Sequence, residues 1–226
     1  MNWDDKGFLI SKFKYSENSL IAEFFTENHG RVSGIIFGAT SKKFKGYLQI
    51  GNLFQVNCNF KNDNRVGSIK VEIITPFTPF YFNNKKKLYS ITSAMSMIKL
   101  LTAENQSSDQ IFRHIFNFFN ILKDIEWLKK YLFWELDLLK FTGYDLNLEK
   151  IVKKNFNNGN IQYYVENSQE KKTVPNFLID KDLPNLTTNE LIKGYSLLSN
   201  YLEKNILNPN NLNHPIPRLD FVNLIK

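Results

Sequence analysis

The chain of 226 residues has one cysteine, Cys58, so it can close no internal disulfide and offers no thiolate metal centre. That is the usage of a protein kept in a reducing compartment. It also lacks an uncharged apolar run approaching the roughly 18 residues of a spanning helix, and Asp4, Asp5 and Lys6 stand where a secretion signal needs an apolar core. A soluble cytoplasmic protein without membrane contact is expected. Arginine is scarce: Arg31, Arg65, Arg113 and Arg218 are all there are, and lysine carries nearly all of a net charge of +7. Internal repeats and low-complexity linkers are absent as well.

Signatures of catalysis are missing too. Gly38-Ala39-Thr40-Ser41-Lys42-Lys43 lacks the GxxxxGK[ST] spacing that surrounds a triphosphate with backbone N–H groups and a lysine. Glu135 and Asp137 stand two apart in a helical pattern, which sends them to different faces and not to one metal. The expectation is a chain with no catalytic residues.

What is present is a packed globular composition, 42% hydrophobic and 15% aromatic, enough for two modest domains. Residues 8–15, 20–26, 31–37, 53–60 and 68–74 are β-branched or aromatic runs of strand length, separated by Gly, Asn, Ser or Glu. The first three form a meander, with Gly30 supplying the positive φ of a bulged turn after Asn28 and His29. A longer crossing, residues 38–51, is too short and broken for more than a helical turn. Five strands joined in this way predict an OB-fold barrel over residues 1–80, an architecture that often binds nucleic acid.

Pro76, Pro79 and Asn83-Asn84 interrupt the strand pattern, and the domain boundary is expected there. Lys85, Lys86 and Lys87 follow as a solvated linker. From Leu88 the period becomes helical, with helices along residues 88–102, 109–122 and 127–141, the last stopping at Gly143. Residues 144–186 lose that period, apart from a predicted hairpin around Asn157-Asn158-Gly159-Asn160. Thr187 to Glu190 resembles a capping box opening a helix over 191–206, and a short helix at 218–225 ends the chain. The fold class is therefore α+β: a barrel, then a helical domain over residues 81–226 with an irregular insertion at 144–186.

The positive surplus lies in the first 142 residues. Lys12 and Lys14 alternate onto one side of the first strand, and Arg31, Lys42, Lys43, Lys45, Lys61, Arg65 and Lys70 are available around it as a shared phosphate-binding surface. Phe13, Tyr15, Phe37, Phe44 and Tyr47 are the right residue type to stack on bases, although most of these rings are expected in the core. OB barrels also bind proteins, so an adaptor whose barrel holds a protein partner is the alternative reading.

Several stretches carry a resemblance. Trp3, Asp5 and Gly7, then FFTENHGRVSGIIFGATSKK (residues 24–43), LQIGN (48–52), WELDLLKFTGYDLNLEK (134–150) and YLEKNIL (201–207) with Arg218 downstream are similar in order and spacing to the RecO recombination-mediator family of bacterial DNA repair. The resemblance implies an N-terminal OB domain, a helical C-terminal domain and a non-enzymatic role at the nucleoid. That role comprises binding single-stranded and duplex DNA, annealing complementary strands and, with RecR, loading RecA onto strands coated with single-stranded-DNA-binding protein. It also implies that the helical domain receives the acidic C-terminal tail of single-stranded-DNA-binding protein. Arg113, Lys123, Lys129 and Lys130 are the candidate cations for its carboxylates.

The chain departs from the family at one place. Many members carry a four-cysteine zinc module after the GYDLNLEK-like motif, whereas Ile151 stands where the first cysteine belongs. His29, His114 and His214 are too scattered to replace the ligands, so no metal and no cofactor are expected. Tyr163, Tyr164, Val165 and Phe177 are left to hold the segment's shape by packing.

Overall fold

Alternating core and solvent positions build the first part of the chain into five strands, β1 (Asn2–Lys14), β2 (Ser19–Thr26), β3 (Gly30–Phe37), β4 (Leu53–Asn59) and β5 (Gly67–Thr75). They close a barrel in the order β1-β2-β3-β5-β4, antiparallel except for the β3–β5 seam. The computed structural model describes residues 2–39, 41–60, 67–157, 160–166, 171–184 and 186–226. The fold is α+β, an OB-like barrel followed by a helical region. Leu9, Phe24, Val32, Ile36, Phe54, Val56, Cys58 and Ile69 fill the barrel core. Burial, together with the nearby carboxylates of Asp5 and Asp4, pushes the Cys58 thiol up to about 12, which makes it an inert packing group.

β1 is longer than alternation predicts, because Asn2 to Phe8 also pair with β4. Trp3, Asp5 and Gly7 face the interior there, opposite Cys58, Val56 and Phe54. An inward aspartate breaks the apolar pattern, and the fold satisfies it locally. Asp5 Oδ2 accepts from the Asn28 N–H at 2.8 Å and lies 2.8 Å from His29 Nδ1, while Oδ1 accepts from the Lys6 N–H at 2.8 Å and Asn28 Nδ2 at 2.9 Å. The His29 ring stacks on Trp3 with centroids 3.8 Å apart. Burial would raise this carboxyl's pKa, but the bonds from His29, Asn28 and Lys6 outweigh it and hold the pKa below its ordinary value.

A folded-state pKa below the unfolded one contributes stability that is complete above the unfolded value and lost as pH falls through the folded one. Asp5→Asn is therefore expected to cost about 1.5–3 kcal/mol at pH 7, the range for hydrogen bonds to a charged group. The gap to wild type should narrow as urea melts are repeated at pH values falling below the ordinary carboxylate range. A gap independent of pH would show that the carboxylate charge contributes nothing.

The opposite end of the barrel is covered by α1 (Lys42–Tyr47), a six-residue helix where the sequence predicts no more than one turn. Phe44, Tyr47 and Leu48, at i, i+3 and i+4, pack against the barrel core, and that burial sustains the longer helix. Gly51 and Asn52 then re-enter the barrel, and Asn52 Oδ1 accepts the Thr78 N–H at 2.9 Å.

Beyond a 3₁₀ turn at Thr78–Tyr81 come α2 (Lys85–Leu101) and α3 (Asp109–Ile121). The lysine run is no linker. Asn84 caps α2 by accepting the Lys87 N–H at 3.1 Å, so the three lysines form the helix's first turn. α3 lays Phe112, Phe116 and Phe119 around Phe8, while Phe77 stacks on Phe119 at 4.2 Å. Gly51, at φ +90°, lets α2 approach, since a Cβ there would lie 2.5 Å from Ile91 Cγ2.

Contacts divide the chain into two compact units, Met1–Asp124 with Pro215–Phe221, and Ile125–His214 with Val222–Lys226. The change from strand to helix near residue 80 falls inside the first unit, because the Phe8 cluster and Gly51 seat α2 and α3 on the barrel.

The second unit holds α4 (Trp127–Phe141), α5 (Leu148–Ile151), the antiparallel sheet β6 (Lys153–Asn157), β7 (Asn160–Glu166) and β8 (Lys171–Val174), and α6 (Thr188–Leu202), which continues through a π-turn at Glu203–Leu207. α7 (Ile216–Ile225) ends the chain. α4 stops in a Schellman arrangement: Gly143, at φ +88°, donates to the Lys140 carbonyl and Tyr144 to Leu139. The capping box is present at α6, with the Glu190 N–H donating to Thr187 Oγ1 and the Thr187 N–H to Glu190 Oε2.

In the irregular segment 144–186, Tyr163, Val174, Phe177 and Leu178 are buried, and Tyr164 and Val165 half-buried. The Tyr163 hydroxyl donates to the Asp180 carboxylate at 3.1 Å. Phe177 also packs edge-on to Phe133 of α4. The turn residues Asn158 and Gly159 of the predicted hairpin lie outside the described residues.

Candidate nucleic-acid interface

Cross-strand neighbours share a face, so the pairing registers map the barrel's outer surface row by row. Phe8 and Phe25 form the row beneath α3, followed by Ser11 and Glu23, then Phe13, Ile21 and Ile35. The last row is Tyr15, Ser19 and Phe37, in which the Tyr15 N–H donates to the Ser19 carbonyl at 3.0 Å. The first row meets the rings of α3, and Glu23 of the second pairs with Lys99 of α2. Phe13, Tyr15 and Phe37 are 50%, 58% and 65% exposed, and Lys70 is exposed on the outer side of β5. The expectation that most of these rings are core therefore holds only for Phe44 and Tyr47.

The cations predicted to bind phosphate separate into three groups. Lys14 and Lys70 are exposed and accessible. Lys12 and Arg31 are committed to the fold. Lys12 Nζ donates to the Leu48 carbonyl on the interior side of β1, and burial lowers its pKa. Arg31 Nε donates to the Thr102 carbonyl at 3.2 Å, and its Nη1 lies 3.5 Å from Glu104 Oε1 and 3.8 Å from Glu23 Oε1. Glu23 in turn pairs with Lys99 of α2 and accepts from Ser11 Oγ at 2.7 Å. This network braces the β2–β3 hairpin to the chain between α2 and α3. Lys61 and Arg65, and the side chains of Lys42, Lys43 and Lys45 on α1, lie outside the described residues.

The four cations expected to meet a protein tail fall in different units. Arg113 and Lys123 belong to the first, Lys129 and Lys130 to the second. Arg113 is exposed and paired with Asp109 at 2.9 Å along its own helix. Lys123 is exposed, with Nζ 3.5 Å from Asn120 Oδ1. Lys129 is largely buried, and its Nζ donates to the Leu183 carbonyl at 2.9 Å. Lys130 is exposed on α4.

Sequence reasoning missed a groove of about 1100 Å³ between the β6–β8 sheet and α6. Leu146, Ile151, Ile161, Val165 and Leu197 give it an apolar floor; Lys171, Lys172, Lys193 and Lys204 give it cations, with Glu190 the one carboxylate among its described lining residues. Its signal in the sequence was the α6 stripe of Lys193, Ser196, Leu197, Asn200, Tyr201 and Lys204, spaced three and four apart. Glu135 is buried and Asp137 exposed, so these two carboxylates do not converge. Among the described residues no group of three metal-ligating side chains converges, and no helix is long and apolar enough to cross a membrane.

A five-stranded OB-like barrel followed by a helical region carrying a small antiparallel sheet defines the class: an α+β protein of barrel and helices. Family models match both parts of the chain. Residues 1–77 match the model described as recombination protein O N terminal, and residues 84–211 the model described as recombination protein O C terminal. The chain belongs to the recombination protein O family. It is 35% identical over 150 residues to the DNA repair protein RecO of Rickettsia rickettsii (strain Iowa), which covers 66% of this chain and 63% of the relative. The RecO of Rickettsia canadensis (strain McKiel) is 34% identical over 155 residues, covering 69% and 64%. That of Rickettsia typhi (strain ATCC VR-144 / Wilmington) is 35% identical over 150 residues, covering 66% and 63%. The match thus spans less than two thirds of these relatives' own length.

Proposed function

We propose that the chain is a non-catalytic DNA repair and recombination mediator of the cytoplasm that binds single-stranded and duplex DNA through its barrel. In this reading it anneals complementary strands and, with RecR, helps load RecA onto single strands coated with single-stranded-DNA-binding protein. Residues 1–80 would be the DNA-binding domain and residues 81–226 the helical domain that meets protein partners. The observation that carries the reading is the outer barrel surface, where Phe13, Tyr15 and Phe37 stand exposed and Lys70 is exposed on the outer side of β5. Exposed rings cost free energy in water, and a nucleic-acid strand supplies both π-faces for the rings and phosphates for the lysines.

The test is a salt titration of the full chain with fluorescent single-stranded and duplex oligonucleotides. Each phosphate contact to a single strand contributes about 0.7 to the slope of log affinity against log salt. Neutralising Lys42, Lys43 and Lys45 together is expected to weaken binding to all sequences alike and to flatten that slope by about 2. Binding with an unchanged slope would move the phosphate contacts away from α1, and absence of binding would remove the reading.

The groove beside α6 supports the tail-binding part of the proposal better than the cations of α3 and α4. An apolar floor under lysines complements a peptide that is acidic and ends in an aromatic residue. Charge reversal at Lys193 and Lys204 should abolish capture of such a peptide by the full chain; capture that persists would place the tail on another surface.

A further inference from the structure

The lysine-rich start of α2 and the turn before it are used neither by the barrel face nor by the groove. We propose that residues 80–87 form a second contact for single-stranded nucleic acid, with Phe80 and Phe82 stacking on bases and Lys85, Lys86 and Lys87 engaging phosphates. This inference rests on the DNA-binding reading above and extends it to a surface outside the barrel.

Phe80 is 78% exposed and Phe82 53%, although both stand on a rigid pedestal. Thr78, two residues before Phe80, is buried. Its N–H donates to Asn52 Oδ1 at 2.9 Å and its hydroxyl to the Ile50 carbonyl at 2.6 Å. Phe77 is stacked in the Phe8 cluster. The Phe82 N–H donates to the Pro79 carbonyl at 3.3 Å, and that of Asn84 to Tyr81 at 2.9 Å. The backbone under both rings is therefore ordered before any ligand arrives, and little freedom is left to lose on binding.

The three lysines crowd one helical turn that holds no acidic residue. Like charges so close repel, and cations at a helix start oppose its dipole. Lys87 Nζ sits 6.0 Å above the Tyr81 ring and Lys85 Nζ 5.7 Å above Tyr89, which interleaves charge with aromatic surface. Lysine is depleted from protein–protein interfaces, so the run argues against a protein occupant. A duplex keeps its base faces stacked inside and offers the rings nothing. A single strand presents unstacked bases and phosphates together, and so uses both halves of the surface.

The experiment is fluorescence anisotropy of a labelled oligo(dT) with the full chain, across a salt series, for wild type, F80A/F82A and K85Q/K86Q/K87Q. All substituted side chains are at least half-exposed or on a helix surface, and thermal melts should match wild type. F80A/F82A is expected to lose roughly tenfold or more in affinity with its salt slope nearly unchanged, because stacking is not electrostatic. K85Q/K86Q/K87Q is expected to flatten the slope by about 2. If wild type binds and both variants match it, this inference fails alone, and the surface is left to a protein partner. If wild type does not bind, the DNA-binding reading fails and takes this inference with it.

Discussion

Gly30→Ala should unfold the first unit at a clearly lower urea concentration than Gly38→Ala does. Both glycines have a left-handed backbone, φ +68° and φ +70°, so alanine costs each about 1–2 kcal/mol in conformation alone. Their surroundings differ completely. A Cβ at Gly38 meets nothing within 4 Å, whereas at Gly30 it would sit 2.0 Å from the Gln106 carbonyl oxygen and 2.2 Å from its carbon. That neighbour is backbone and cannot rotate away. It is pinned by its own segment, in which the Asn105 N–H donates to the Arg31 carbonyl at 2.9 Å and Arg31 reaches Glu104. Overpacking of this kind adds about 1–3 kcal/mol or more. Gly30→Ala is therefore expected to cost about 3–5 kcal/mol against about 1–2 for Gly38→Ala, read as the difference between their urea midpoints. Equal midpoints for the two variants would mean that the hairpin is not held against residues 104–106 in solution.

The second large effect is at Phe8. Its ring is 0% exposed and lies between 4.8 and 6.1 Å from the rings of Phe77, Phe112, Phe116 and Phe119. Truncation to alanine removes the residue that four others pack around. Phe→Ala in a core costs about 3–5 kcal/mol, the upper part of the range applying where neighbours cannot collapse into the space. Here Phe77 and Phe119 are already stacked on each other, which limits that collapse. Phe8→Leu should recover about half of the loss. Phe80→Ala serves as the contrast, since an exposed ring contributes within about 0.5 kcal/mol and leaves stability intact. A melting temperature for Phe8→Ala within two degrees of wild type would overturn the account of how the helices seat on the barrel.

Local chemistry was legible in the sequence. Strand-length β-branched and aromatic runs marked all five barrel strands, because alternation with period two is a property of neighbours in the chain. Gly30, Gly143 and the Thr187–Glu190 box were readable for the same reason: a positive φ or a helix cap is decided within four residues. The family resemblance was legible too, since it lies in motif order.

What only the tertiary structure decided is which side each residue faces. β1 carries a bulge at Ile10, where Leu9 pairs with Phe24 but Ser11 already pairs with Glu23. One extra residue reverses the alternation beyond it. Odd positions face the core before the bulge, and even positions after it. Lys12 is thereby carried to the interior side, where it bonds the Leu48 carbonyl, while Phe13 and Tyr15 are turned out to solvent. Arg31 was hidden for a related reason: besides the nearby Glu23, the carboxylate of Glu104 and the carbonyl of Thr102 that engage it are more than seventy residues along the chain. A bulge and a long-range ion pair are set by pairing partners, and pairing partners exist only once the chain has folded.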